Sequence, residues 1–309
     1  MTSITTNNSS HNIRRSSLEQ KIKYETLLLD GATGTELERR GVDISLPLWS
    51  ARAILDAPEV LMQIHLDYLL AGADIITTNT FRTHRHNLAL SGIGGQAKSM
   101  TQQAVAIAQK AVRLSNNTSA FVAGSIAPLG DSYKPSNTLS ENILEEEHGL
   151  TSNILVSSGV DLILVETMNT IVEAEIATRA AISTGCPTFI SLVCDRDGSL
   201  LSGESLSAAT TLLLPLEPHA ILLNCTSATD VLSTLQKLRQ YTCLPIGVYA
   251  NVGYLNEDKN WIQTKAVEPD YYAKCALRWN EAGATLIGGC CGTRPDHIAT
   301  LRNVFPCKN

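Results

Sequence analysis

Ala284-Thr285-Leu286-Ile287-Gly288-Gly289-Cys290-Cys291-Gly292-Thr293 is an apolar run that ends in two glycines, two adjacent cysteines and a third glycine. The run reads as a buried strand, and glycines that weaken a strand at its end need a reason. Adjacent cysteines rarely bond to each other, because neighbouring Cα atoms lie about 3.8 Å apart, below the usual disulfide minimum. A free cysteine is commonly just a small buried hydrophobe. Two of them framed by glycines fit another role, that of two thiolates aimed at one soft metal ion. A third thiolate fits in the same setting elsewhere: Cys225, which ends the apolar run Ala220-Ile221-Leu222-Leu223-Asn224.

The pattern of that strand recurs along the chain. Short apolar runs alternate with longer helical stretches at Leu27–Asp30, Ile75–Thr78, Phe121–Ser125, Leu162–Glu166, Phe189–Val193, Ile221–Cys225, Ile246–Ala250 and Thr285–Gly288. Near-continuous apolar strands separated by helices mean a parallel sheet covered on both faces. Gly72, Gly159 and Gly283 each stand just before a strand, where a left-handed helix C-cap belongs. Such units in series predict a single (β/α)8 TIM barrel. The open doubly wound sheet is the rival, and no Gly-x-Gly-x-x-Gly follows the first strand to support it. The barrel domain is expected over residues 23–309. Residues 1–22, rich in Ser, Thr and Asn, read as a disordered or loosely attached tail.

Composition limits the partners. With 44% hydrophobic residues the chain can fill a large core, and a net charge of −6 argues against nucleic acid and anionic membranes. No apolar run approaches the roughly 18 residues of a membrane span. Eight cysteines without a secretory leader pattern point to a reducing compartment, so a cytoplasmic protein is expected. The oligomeric state is not legible.

A barrel demands that functional residues sit at the C-terminal strand ends. Cys225, Cys290 and Cys291 meet that demand, as do Asp30 after the first strand and Glu166 after the fourth. An isolated Asp at a strand end is often a turn residue, but a carboxylate directly after Leu162–Val165 is partly buried and needs a partner. Thr33-Gly34-Thr35-Glu36 has capping-box spacing, so a helix N-terminus beside Asp30 is expected, with N–H groups free for a substrate carboxylate. Carboxylates for an ammonium and N–H groups for a carboxylate describe an amino-acid site. Three thiolates on Zn²⁺ leave one position open, and a substrate thiol bound there ionises near neutral pH. A thiolate needs no general base to attack the methyl of a sulfonium donor. Trp49, Tyr133, Tyr249 and Trp261 lie in or beside rim loops, where aromatic faces can hold a cation or simply pack.

These residues resemble the homocysteine S-methyltransferase family. The resemblance runs through Asp30-Gly31-Ala32-Thr33-Gly34-Thr35, Thr78-Asn79-Thr80-Phe81, Glu166-Thr167-Met168, Asn224-Cys225 and Gly288–Thr293, covering about residues 24 to 302. It implies a zinc-dependent barrel with one zinc per chain on Cys225, Cys290 and Cys291. It also implies homocysteine held by Asp30 and Glu166 with Gly31, Thr33 and Asn224, and a donor side including Trp49, Asn79, Tyr249 and Asn251. Of the family's donors, S-methylmethionine or S-adenosylmethionine is expected, since neither folate and cobalamin domains nor a betaine-type extension is visible. Tyr249-Ala250-Asn251-Val252-Gly253 departs from the Tyr-Pro-Asn-Ser-Gly that such enzymes tend to carry. Alternatives are a zinc-thiolate alkyltransferase with another thiol or selenol acceptor or a donor such as betaine, and a non-catalytic zinc-binding or thiol-sensing barrel.

Overall fold

The computed structural model describes residues 3–135, 139–256, 258 and 260–307, with side chains from residue 13 onward. Eight parallel strands form the barrel: β1 (Leu27–Leu28), β2 (Ile75–Thr77), β3 (Phe121–Ile126), β4 (Leu162–Met168), β5 (Thr188–Leu192), β6 (Ala220–Ser227), β7 (Ile246–Asn251) and β10 (Ala284–Gly289). Their order is β1-β10-β7-β6-β5-β4-β3-β2, and a parallel bridge from Leu29 to Ile75 joins the two ends. All eight expected strands are present. Each is a buried run because consecutive residues serve two different cores. Leu162 and Leu164 point into the barrel with Leu27, Phe121, Phe189 and Leu222. Ile163 and Val165 point outward into the layer under the helices, with Leu28, Ile76 and Ile221. A strand covered on both faces shows no polar alternation, which is why the sequence reads as unbroken apolar stretches. The anticipated helix-ending glycines carry φ of 105° at Gly72, 86° at Gly159 and 98° at Gly283.

Two features depart from expectation. The N-terminal segment is a helix, Ser3–Tyr24, and its second half is tied to the barrel. Leu18 and Ile22 are 0% and 3% exposed and join the inner core at the N-terminal mouth. Arg14 lies one turn earlier on the same stripe. Its Nε meets Asp161 Oδ1 at 2.6 Å, and its guanidinium also donates to the carbonyls of Thr118 and Ala120. Two apolar residues four apart in a Ser- and Asn-rich segment give almost no periodicity, so only the partner surface shows that this stretch packs. Met1 and Thr2 lie outside the described residues. The second departure is an antiparallel hairpin after β7, β8 (Gly253–Leu255) with β9 (Trp261–Gln263), which carries Trp261 above the rim. No described helix is long and apolar enough to cross a membrane.

Candidate active site

The C-terminal strand ends converge on a cavity of about 360 Å³ lined by Asp30, Glu166, Cys225, Cys290 and Cys291, together with the loop Gly31–Thr35. Sequence-distant residues meet because their strand ends open onto one rim, with β6 and β10 on either side of β7. Cys225 and Cys290 bring their Sγ atoms to 3.1 Å, and the three Sγ atoms all lie within 4.8 Å of one another. Zn–S bonds of about 2.3 Å in a tetrahedron place sulfurs about 3.8 Å apart, so this set fits a zinc ion with only small adjustment. No fourth His, Cys, Asp or Glu completes the group among the described residues. Without a cation, three such close thiols cannot all ionise. Hydrogen bonds from Cys225 and Cys290 pull the Cys291 thiol well down, and the same sharing pushes that of Cys290 well up.

Local backbone distortion aims these groups. Strand β6 shifts register against β7 between Asn224 and Ser227, and Cys225 sits there at φ 55°. Strand β4 shifts between Val165 and Met168, where Thr167 sits at φ 59° beside Glu166. Left-handed backbone in non-glycine residues is costly and persists only where surroundings impose it. Here buried amides impose it. Asn251 Nδ2 donates to the Cys225 carbonyl at 2.7 Å, and its Oδ1 accepts from Cys291 N–H at 2.9 Å. Asn224 Nδ2 donates to Thr167 Oγ1 at 2.7 Å and lies 3.4 Å from Cys225 Sγ, while its Oδ1 accepts from Ser191 Oγ at 2.8 Å. Thr293 Oγ1 donates to the Cys290 carbonyl at 2.8 Å and accepts from Ala32 N–H at 3.1 Å, linking the last loop to the first.

The two carboxylates are buried. Asp30 takes the Thr77 N–H at 2.8 Å and the Thr77 hydroxyl at 3.0 Å. Glu166 takes the Ser125 hydroxyl at 2.5 Å, and Tyr249 donates to it at 3.4 Å. Burial pushes Asp30 up to about 8 against the opposing Thr77 hydrogen bonds, with a smaller push from Glu166. Burial likewise pushes Glu166 up to about 7. Two acids held short of full ionisation form a site that gains from a cation placed between them.

Several expected roles find other partners. The Asn224 and Asn251 amides are taken up by the protein, Asn79 Nδ2 donates to the Ser50 carbonyl at 2.7 Å, and the Tyr249 hydroxyl faces Glu166. Trp49, at φ 49°, does line the cavity, edge-on to Phe81 with centroids 5.5 Å apart. A Cβ on Gly34 would come within 2.5 Å of the Trp49 indole, which accounts for glycine there. The capping box does not form. Thr33 is already helical, and Glu36 turns to Arg39 and Arg40, because two guanidinium partners outweigh one backbone N–H. Of the other rim aromatics, Tyr133 lines the cavity, whereas Trp261 lines a neighbouring groove of about 600 Å³. Sequence reading gave no role to Thr77 and Ser125, ordinary strand hydroxyls until the fold shows what they face, or to Thr293 in the loop after β10. It also missed Arg82 and Ser132 on the cavity wall.

A sequence profile described as homocysteine S-methyltransferase matches residues 27–305. The chain belongs to the homocysteine S-methyltransferase family. It is 33% identical to the homocysteine S-methyltransferase of Escherichia coli over 91% of this chain and 95% of that one. It is 28% identical to the selenocysteine methyltransferase of Astragalus bisulcatus over 90% and 91%. The metallated form of the homocysteine methyltransferase MmuM from Escherichia coli superposes with a TM-score of 0.79 at 31% identity, covering 91% of this chain and 97% of that one. This methyltransferase is therefore a TIM-barrel member of the family through almost its whole length.

Proposed function

We propose that this methyltransferase moves a methyl group from a sulfonium donor, S-methylmethionine or S-adenosylmethionine, to the sulfur of homocysteine, with Cys225, Cys290 and Cys291 holding one zinc ion. The observation that carries the reading is the placement of three convergent thiols and two buried carboxyls on one cavity. Bound there, zinc supplies a Lewis acid that keeps the homocysteine sulfur as thiolate near neutral pH. Asp30 and Glu166 take the substrate ammonium between them, and the Gly31–Thr35 loop faces its carboxylate. That fixes the acceptor chain so that its sulfur lies at the cysteines. Trp49 and Phe81 wall the other side, where an aromatic edge and face exclude water and tolerate a cation. As the new C–S bond forms, the donor C–S bond breaks and its electron pair stays on a neutral thioether, so no general acid is required. This agrees with a cavity that has no histidine among its described lining residues. The lack of a fourth protein ligand among the described residues favours an open, catalytic centre over a closed sensing site.

The test is methionine formation with each donor, before and after metal removal, combined with X-ray absorption at the metal. Three sulfur neighbours should become four on adding homocysteine, whereas S-methylmethionine alone should change nothing. A metal whose ligands stay the same during turnover would make it structural and overturn the reading.

A further inference from the structure

Arg82 follows β2 and lines the cavity that contains the three cysteines. Its Nε is buried without a hydrogen-bond partner, and the guanidinium forms no ion pair among the described residues. Burial disfavours its charge, so the protein maintains a cation there at a cost. The Asp131 carboxylate acts on it from beyond ion-pair range and is itself near Lys134 Nζ at 3.5 Å. Ser132, only 5% exposed, has a hydroxyl with no partner, and both Asp131 and Ser132 line the same cavity. The loop bearing them is anchored: Asn169 donates to the Ser132 carbonyl at 2.8 Å, and Leu129 N–H to Glu173 at 2.7 Å. An unpaired guanidinium and an unpaired hydroxyl on the wall of a cavity form a receptor for a carboxylate.

Two amino acids can supply that carboxylate. An acceptor with its ammonium between Asp30 and Glu166 keeps its carboxylate on the same carbon, beside them, and Arg82 pairs with neither residue. Arg82 and Asp131 instead make a second pair of opposite charges in one cavity. We propose that Arg82 and Ser132 bind the carboxylate, and Asp131 the ammonium, of the amino-acid end of the sulfonium donor. This rests on the methyl-transfer reading above. It deepens it by making the donor class an α-amino acid sulfonium, since S-methylmethionine and S-adenosylmethionine share that end.

The zinc-loaded enzyme would be assayed with S-methylmethionine, with (3-aminopropyl)dimethylsulfonium, which lacks the carboxylate, and with 4-(dimethylsulfonio)butanoate, which lacks the ammonium. Arg82→Gln should raise the KM for S-methylmethionine about ten- to hundredfold, as loss of a charge-assisted contact does. The homocysteine KM and the zinc content should stay the same. The Arg82→Gln penalty should vanish with the carboxylate-free donor, and the Asp131→Asn penalty with the ammonium-free one. Arg82→Lys, which keeps the charge without the fork, should fall between and serves if Arg82→Gln folds poorly. An equal penalty with the carboxylate-free donor overturns the proposal, and so does a shift in the homocysteine KM instead of the donor's. If the unaltered enzyme moves a methyl from no sulfonium, the functional reading falls too. If it does so and Arg82→Gln is indifferent, only this inference falls.

Discussion

Asp30 and Glu166 show how one residue type takes its chemistry from its surroundings. Each ends an apolar strand, so each is stripped of water, and the hydroxyls of Thr77 and Ser125 recover only part of the loss. Carboxyls raised to about 8 and about 7 bind protons that an arriving ammonium must displace. Methionine, the expected product, has no thiol to ionise and isolates this effect. Its affinity should fall as pH drops through 8 and then 7, with Asp30→Asn removing the upper step and Glu166→Gln the lower. Titration calorimetry from pH 6 to 8.5 checks this, and a flat profile would assign the carboxyls elsewhere. The sign for stability is opposite to that of a salt-bridged acid. Folded values above the unfolded ones mean that the contribution is full below about pH 4 and is lost as pH rises through the folded values. Asp30→Asn should therefore melt above the parent at pH 8.5, and the gap should close as pH falls toward 4, both measured without ligand.

At the scale of elements, the N-terminal helix is the part whose sequence conceals its importance. A barrel leaves its N-terminal mouth open, and here Leu18 and Ile22 close it against the inner strand residues while Arg14 reaches Asp161. Asp161, 3% exposed, also accepts the Val122 N–H at 2.8 Å, so the ion pair joins the helix to β3 and β4. Leu18→Ala should destabilise the fold by about 2–5 kcal/mol, as large-to-small changes at buried sites do. Its zinc content and KM values should stay unchanged, because the helix lies at the mouth opposite the site. Urea denaturation and steady-state assays on the same preparation check both halves. A loss below about 0.5 kcal/mol, typical of a surface position, would mean that the helix is not packed in solution.

For the whole molecule, the decisive fact is that the core and the chemistry are separate. Two apolar layers run continuously inside and outside the strands, and Cys225, Cys290 and Cys291 stand on the rim, where Cys290 packs against the top of the inner layer. Metal removal should thus abolish turnover while leaving a cooperative unfolding transition and an unchanged far-ultraviolet spectrum. A small zinc domain does the reverse and loses its fold with the metal. Calorimetry on chelator-treated protein, with activity restored by added zinc, makes the comparison. Loss of cooperativity on chelation would show the rim to be part of the folding unit.

Local signals along the chain specify the barrel, the strand ends and the three cysteines that the fold brings together. Strand periodicity and the Gly-Gly-Cys-Cys-Gly run are local signals, and a parallel barrel maps strand ends onto one rim without further information. Cys225 was legible beside Cys290 for that reason alone. The tertiary structure decided what the local pattern could not carry. It gave Asn251 to the Cys225 carbonyl and the Cys291 N–H, Ser125 to Glu166, and Glu36 to two arginines instead of a cap. It also turned a polar N-terminal stretch into a plug. Each of these depends on a partner distant in sequence or on competition between partners, and hydrogen bonds and burial are properties of the pair.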